Sequence, residues 1–247
     1  INVSVRAANR IPLSFHPLSL WRNLVAIFKY VFGRQGEMTS NLAESGAFLK
    51  SDPAEPIPDL QMHFVPLPYS SHGLDLGPLF RNYAYTVLTC DLRPLSRGEV
   101  TLASGDPQAP PQIQPNYLSQ ERDLERLVRA VRKAREILAQ PAFAAHRREE
   151  MMPGDAVQTD EQLRQWIREH AETVYHPVGT CKMGGDALAV VDARLRVRGL
   201  ANLRVADASI MPTLVGGNTN APATMIGEKA ARMMLEDAQA HPLAAAA

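Results

Sequence analysis

Apolar positions recur at helical spacing in three stretches of the chain. Leu20, Leu24, Ile27 and Val31 form one stripe, and Trp21, Val25, Phe28 and Phe32 lie beside it. This predicts a helix within residues 11–33 that carries a wide apolar face and ends at Gly33 or Gly36. Such a face packs on its own domain, or it meets a lipid surface or a partner. Leu124, Leu127, Val128, Val131, Ala134 and Leu138 make a second stripe, which opens at Ser119 and stops at Pro141. A third helix starts at Thr159, where Thr159 and Gln162 have capping-box spacing. Leu163, Trp166, Ile167 and His170 are its expected buried face.

Elsewhere the period is two. Ile1 to Val5, Leu60 to Leu67 and Tyr83 to Leu92 alternate or are β-branched and aromatic, as strands are. Arg97-Gly98-Glu99 reads as a turn into a strand at Val100-Thr101-Leu102. Residues 51–59 are rich in Pro, Asp and Glu and read as a loop. Residues 104–116 hold Pro107, Pro110, Pro111 and Pro115 and read as an extended connector. The tail from 239 to 247 reads as flexible. Strands followed by helices, without repeats, indicate an α+β fold: an antiparallel sheet with helices.

Bulk composition narrows the class. The chain has 247 residues, 45 % of them hydrophobic and 21 % charged, which is ordinary for a globular protein. Twenty-six basic and 26 acidic residues leave no basic excess of the kind a nucleic-acid partner calls for. Cys90 and Cys181 fall short of a four-ligand zinc site and of a disulfide framework, so no metal site is expected. Reduced thiols point to the cytoplasm. No apolar run approaches the ~18 residues of a spanning helix. The chain enters at once with the strand-like Ile1-Asn2-Val3, which reads as the start of a fragment or a processed chain.

Chemistry concentrates near the C-terminus. Tyr175-His176-Pro177-Val178-Gly179-Thr180-Cys181-Lys182-Met183-Gly184 places an imidazole before a proline, which holds His176 extended. Gly179, Gly184 and Gly185 permit close approach or positive φ. Imidazole ordinarily titrates near neutrality, so a fixed histidine can act as a base. Alone, a His-Pro pair is more often a structural turn. Leu203-Arg204-Val205-Ala206-Asp207-Ala208-Ser209 reads as a short strand ending in an acid, placed to face a ligand or to cap a turn. Gly216-Gly217-Asn218-Thr219-Asn220-Ala221-Pro222 then leads into a helix expected from about Pro222 to Leu235. Its N-terminus offers free N–H groups and about half a positive charge.

In order and spacing, these three elements resemble the C-terminal half of the glucose–methanol–choline (GMC) family of flavin oxidoreductases. The resemblance rests on the Tyr-His-Pro-Val-Gly-Thr-Cys-Lys-Met run, on Leu-Arg-Val-Ala-Asp-Ala-Ser-Ile-Met-Pro, and on Gly-Asn-Thr-Asn-Ala-Pro followed by Met-Ile-Gly-Glu-Lys-Ala-Ala. A weaker likeness runs upstream through Asn116-Tyr117-Leu118 and Asp91-Leu92-Arg93-Pro94. The branch most resembled is that of choline and aliphatic alcohol dehydrogenases. The resemblance implies FAD as cofactor and His176 as the base that takes the substrate hydroxyl proton. It implies Asn220 as the second active-site residue, bonded to the alcohol oxygen. It implies Asp207, Ala208, Asn220, Ala221, Pro222 and Thr224 as flavin contacts.

The family also has a strand–Gly-x-Gly-x-x-Gly–helix near its start, which holds the flavin diphosphate. These 247 residues contain no such fingerprint. The expected organisation is therefore a substrate-binding region at 1–172, C-terminal FAD-domain segments at 173–238 and a flexible tail at 239–247. The main FAD-binding half is expected to be missing from the chain. Two readings stay open: the catalytic half of an FAD-dependent enzyme oxidising a primary alcohol, or a truncated substrate-binding domain that holds no FAD by itself. The implied partners are a small-molecule alcohol, an electron acceptor (oxygen, a quinone or a soluble carrier) and the missing N-terminal half. Residues 19–33 add an expected peripheral contact with the inner membrane.

Overall fold

The structure, a computed structural model, describes residues 1–9, 14–69 and 77–240. The start of the first predicted helix at 11–13 and the tail at 241–247 lie outside the described residues. The chain divides into two compact units, Ile1–Ser96 with Tyr117–Glu172, and Arg97–Asn116 with Thr173–Ala247.

The first unit is a five-stranded antiparallel sheet backed by helices, an α+β arrangement. Its strands are β1 (Asn2–Ala7), β2 (Ser45–Leu49), β3 (Leu60–Val65), β4 (Ala84–Asp91) and β7 (Arg147–Met152), in the order β2-β3-β4-β1-β7. All four pairings are antiparallel. Helices α3 (Glu121–Leu138) and α4 (Asp160–His170) supply the apolar layer. Val3, Val5, Met62, Tyr85 and Val87 from the sheet meet Leu124, Leu127, Val128, Val131, Ala134 and Leu138 from α3 and Leu163, Trp166 and Ile167 from α4. The predicted stripes of α3 and α4 are therefore the buried ones, with one exception. His170 is exposed; its ring stacks on Trp166 at 4.8 Å instead. The Thr159–Gln162 capping box is present in both directions.

The other sheet face buries polar groups by pairing them. Ser4 Oγ and Thr86 Oγ1 lie 2.8 Å apart, and Thr86 Oγ1 donates to the Leu67 carbonyl at 2.8 Å. That second covered face explains why β3 and β4 do not keep a clean buried–exposed alternation.

In this unit three elements escape the sequence pattern: β2, β7 and the short helix α2 (Gly77–Arg81). The edge strand β2 is largely exposed and contains a glycine, while β7 reads Arg-Arg-Glu-Glu-Met-Met, with no period of two. The first helix, α1, spans Leu20–Gly33 and follows a 3-10 turn at Pro17–Ser19. Of its fourteen residues only Ala26 is buried, so its wide apolar face points outward. No helix among the described residues is long and apolar enough to cross a membrane.

Arg126 fastens the 51–59 loop to α3. Its side chain is 4 % exposed and meets Asp59 Oδ2 at 3.1 Å, Glu55 Oε1 at 3.3 Å and Asp91 Oδ1 at 3.5 Å. It also donates to the Arg93 carbonyl at 2.7 Å. Three acids share one guanidinium, so one acid is poorly served. Burial pushes the Asp91 carboxyl up to about 6, outweighing the Arg93 amide and Arg126, which pull it down. Its Oδ2 has no hydrogen-bond partner among the described residues, which leaves a place for the proton.

The second unit contains a hairpin, β5 (Glu99–Thr101) with β6 (Gln112–Gln114), and a long C-terminal helix, α5 (Asn220–Ala240). The predicted connector at 104–116 thus ends in a strand. The predicted strand at Leu203–Val205 does not form; Arg204 makes a single bridge to Arg196. Left-handed backbone at Leu195, just before Arg196, and at Asn202, just before Leu203, interrupts both bridged stretches and prevents a longer ladder. Helix α5 begins two residues before Pro222 and continues to Ala240, past the predicted start of the flexible tail. Both cysteines are free thiols.

The raised Asp91 carboxyl fixes the sign of a pH effect. The folded state holds this proton more tightly than the unfolded state, so the group's stabilisation is full below about pH 4 and is lost as pH rises through about 6. Asp91→Asn is expected to stabilise the protein by about 1–3 kcal/mol above the folded value. The gain should shrink as pH falls and vanish near the ordinary carboxylate range. Urea unfolding of both proteins across that range reads the difference; a gain that does not change with pH contradicts the assignment.

Candidate active site

His176 is set by two backbone features. Pro177 holds it extended, and Tyr175 before it takes a left-handed conformation (φ 64°). A bulky non-glycine residue there is strained by roughly 1–3 kcal/mol. The Tyr175 N–H donates to Thr173 Oγ1 at 2.9 Å, which helps hold the turn. Gly179 takes a φ of 92°, and a Cβ on it would sit 3.1 Å from the Met211 carbonyl oxygen. Gly184 and Gly185 do not take positive φ. Downstream, the Cys181 and Met183 amides donate to the Ser209 and Ile210 carbonyls at 3.0 and 2.7 Å. The histidine segment is thereby bound alongside the segment that follows Asp207.

The imidazole bridges to residues more than forty positions away. Its Nδ1 lies 2.9 Å from Thr219 Oγ1, and its Nε2 lies 2.8 Å from Asn218 Nδ2. The Thr219 N–H also donates towards Nδ1, in a long contact of 3.4 Å. The Asn218 Nδ2 contact makes Nε2 the acceptor, and the Thr219 hydroxyl, which can donate or accept, then takes the Nδ1 proton. Nδ1–H donates to the threonine oxygen, and the Nε2 lone pair receives the Asn218 amide. Nε2 is then the basic atom, on the partly exposed side of the ring.

Thr219 is 8 % exposed and caps α5 with its carbonyl, which accepts from Ala223 N at 2.9 Å. Its hydroxyl serves His176. The first turn of α5 carries no acid, and Pro222 brings no N–H. Asn220, Ala221 and Thr224 are exposed around this end, as is Met225. The Asn220 carbonyl accepts from Thr224 Oγ1 at 3.1 Å. The amide beside the imidazole belongs to Asn218, while Asn220, expected to bond the alcohol oxygen, stands exposed at the start of α5. Both asparagines stand in the same Gly-Gly-Asn-Thr-Asn run, and spacing alone does not say which one the turn aims at His176. The hydroxyl of Thr219 carried no sequence signal of its own.

Asp207 is exposed and caps a 3-10 turn at Ala208–Ile210, accepting from Ser209 N at 2.8 Å. Of the two roles open to it from sequence, the capping one is formed. Beneath this surface, Val191, Leu195, Ile210, Met211, Ile226 and Ala230 form a small apolar core that joins the turn to α5. At the far end of α5, Asp237 gathers Arg194, Arg196 and Arg204. The hydrogen bond from Arg196, aided by the charges of Arg194 and Arg204, holds the Asp237 carboxyl below the usual carboxylate range.

Residues 94–227 match the family model described as GMC oxidoreductase, more than half of the chain. The chain belongs to the GMC oxidoreductase family. This GMC chain is 46 % identical over 235 residues to an alcohol dehydrogenase [acceptor] of Pseudomonas putida, covering 95 % of the chain and 42 % of that protein. It is 43 % identical over 224 residues to an oxygen-dependent choline dehydrogenase of Escherichia coli, covering 90 % and 39 %. Among solved structures it is similar to pyridoxine 4-oxidase from Mesorbium loti, with a TM-score of 0.77 and 30 % identity over 95 % of the chain and 41 % of that structure. It also resembles a formate oxidase in fold, with a TM-score of 0.80 at 21 % identity over 97 % and 46 %. The chain spans about two fifths of the length of the curated relatives it matches.

The donor set around His176 in this GMC chain suits a flavin. An acid-free helix N-terminus favours a group that gains negative charge, as a flavin pyrimidine edge does on reduction. The exposed Met225 offers an apolar surface beside it.

The tautomer is directly measurable. Nitrogen chemical shifts of His176 in the isolated chain should report a protonated Nδ1 and an unprotonated Nε2 in the neutral ring. Thr219→Val should shift the population toward the other tautomer, and Thr219→Ser should restore it. A neutral ring protonated at Nε2 in the unsubstituted chain contradicts the assignment.

Proposed function

We propose that this chain is the catalytic and substrate-binding part of an FAD-dependent enzyme that oxidises a primary alcohol to an aldehyde. The observation that carries the proposal is the His176 imidazole, held at both nitrogens beside an acid-free helix N-terminus. The printed names of two relatives, an alcohol dehydrogenase and a choline dehydrogenase, agree on an alcohol as substrate class.

In this proposal His176 Nε2 takes the hydroxyl proton of the alcohol. Asn218 donates to the Nε2 lone pair in the unliganded site and gives that position up to the hydroxyl of the alcohol. With the amide turned over, its oxygen accepts from Nε2–H once the ring is charged, so one side chain serves the ring before and after proton transfer. Its NH2 group would donate to the oxygen that loses the proton, where a donor stabilises developing charge. Thr219 keeps Nδ1 protonated, so that the lone pair stays at Nε2. When bound, the flavin supplies the two-electron acceptor for the hydride that leaves the carbinol carbon. Asn220, Ala221, Pro222 and Thr224 at the start of α5, with the turn at Asp207 and Ala208, would line its pyrimidine side. Residues 1–172 would form the substrate-binding region, and residues 173–238 the C-terminal segments of the FAD domain.

The family's diphosphate-binding fingerprint is not among these residues, so the diphosphate would take its main contacts from elsewhere in a longer protein. The isolated chain is expected to be colourless and to take up FAD poorly. In the flavin-loaded full-length gene product, His176→Ala should slow flavin reduction by alcohol by ~10²–10⁴-fold while leaving the flavin spectrum nearly intact. Asn218→Ala should cost ~10²-fold, and Asn220→Ala much less. Stopped-flow reduction kinetics measure all three. Unchanged reduction in His176→Ala removes the histidine from the mechanism, and a larger loss at Asn220 than at Asn218 returns the second position to Asn220.

A further inference from the structure

Helix α1 is amphipathic in the reverse sense. At 100° per residue, Leu20, Trp21, Leu24, Val25, Ile27, Phe28, Val31 and Phe32 fill an arc of roughly 160°. This arc faces out: Trp21 is 78 % exposed, Phe32 75 % and Phe28 62 %. The opposite side holds Arg22, Asn23 and Ala26, and it faces the protein. Polar groups there are spent on local bonds. Asn23 Nδ2 donates to the Ser14 carbonyl at 2.8 Å, and Arg22 Nη2 donates to Ser19 Oγ at 3.4 Å. Among the described elements, the helix packs mainly on the 3-10 turns that flank it, Pro17–Ser19 and Glu37–Thr39. Phe15 and Leu18, on the approach to the helix, are exposed too.

Charge selects the occupant. From Ser14 to Gly36 the described segment contains no acid, while Arg22, Lys29 and Arg34 give it three positive charges. Lys29 is exposed at one edge of the apolar arc, and Arg34 is exposed just past the helix C-terminus, its guanidinium 5.2 Å from the centre of the Tyr30 ring. Fourteen residues make a helix about 21 Å long, which lies along a surface and is too short to span a bilayer. A wide apolar arc with aromatic rings and cations at its rim, and no acid, has the composition of an interfacial lipid-binding helix.

We propose that α1 seats its apolar face in the headgroup region of a bilayer containing anionic phospholipid, with Lys29 and Arg34 against lipid phosphates. The proposal stands on unit-one residues alone and does not rest on the His176 chemistry. The test is co-sedimentation with vesicles of phosphatidylglycerol and phosphatidylethanolamine, compared with phosphatidylcholine alone, for both this chain and the full-length gene product. Trp21 emission provides a second readout, because the other tryptophan, Trp166, is already buried. Binding to the anionic vesicles, a blue shift of Trp21 and weakening by salt are expected. Lys29→Glu and Arg34→Glu should each weaken binding by roughly fivefold or more. The triple variant Trp21→Ser, Phe28→Ser, Phe32→Ser should abolish it while circular dichroism stays unchanged. Failure of the wild-type protein to sediment with anionic vesicles overturns the proposal, as does sedimentation that survives the triple substitution. Two further outcomes replace the lipid: a dimer that the triple variant dissociates assigns the face to a second copy, and a Trp21 already shielded from quencher in the vesicle-free full-length product assigns it to another segment of that product.

Discussion

The imidazole of His176 joins two loops separated by 43 positions, through Thr219 at one nitrogen and Asn218 at the other. Each loop is poorly determined by itself. The histidine loop has a strained tyrosine and a glycine that cannot easily be replaced. The Asn218–Thr219 loop follows two glycines. What fixes both is the strip of apolar side chains beneath them, together with the amides of Cys181 and Met183 bonded to the 209–210 backbone. A histidine held at both nitrogens has lost most of its rotational freedom before any ligand arrives, which is the condition for a base to act in a defined direction.

The sequence made the repeating parts of the fold legible. Helices α3 and α4 announce themselves through apolar stripes and a capping box, because their buried faces recur every three or four residues. Strand β7 could not be found this way. Its charged residues serve edge partners, with Glu150 held by Arg135 and Glu149 by Arg6, so its pattern records ion pairing instead of burial. The strand expected at Leu203–Val205 failed for a related reason. Arg204 is committed to Asp237, and the backbone turns left-handed at Asn202 just before the segment, neither of which is visible in a three-residue apolar pattern.

The same distinction applies to the site. His176 was legible because proline restricts the residue before it and because the surrounding motif is long. Asn218 and Thr219 were not, although they stand in the quoted run. Their roles depend on where α5 begins, and α5 starts at Asn220 instead of Pro222. Moving a helix start by two residues changes which asparagine lies in the loop and which lies in the first turn. Helix boundaries are the least certain part of any pattern argument, so a residue role that hangs on one needs coordinates.

Helix α5 ties the imidazole to a distant set of charges. Its N-terminal cap residue holds His176, and Asp237 near its other end holds Arg194, Arg196 and Arg204. Arginines gathered near a helix C-terminus complement its negative end, and an acid-free first turn leaves the positive end open to a ligand. The exposed ion pairs are individually weak, yet three arginines converging on one carboxylate share the cost of ordering it. The helix is therefore anchored where no ligand is expected and left chemically open where His176 waits. Loosening the Asp237 cluster should act on the site only through the position of Thr219, and so on the direction in which the Nε2 lone pair points.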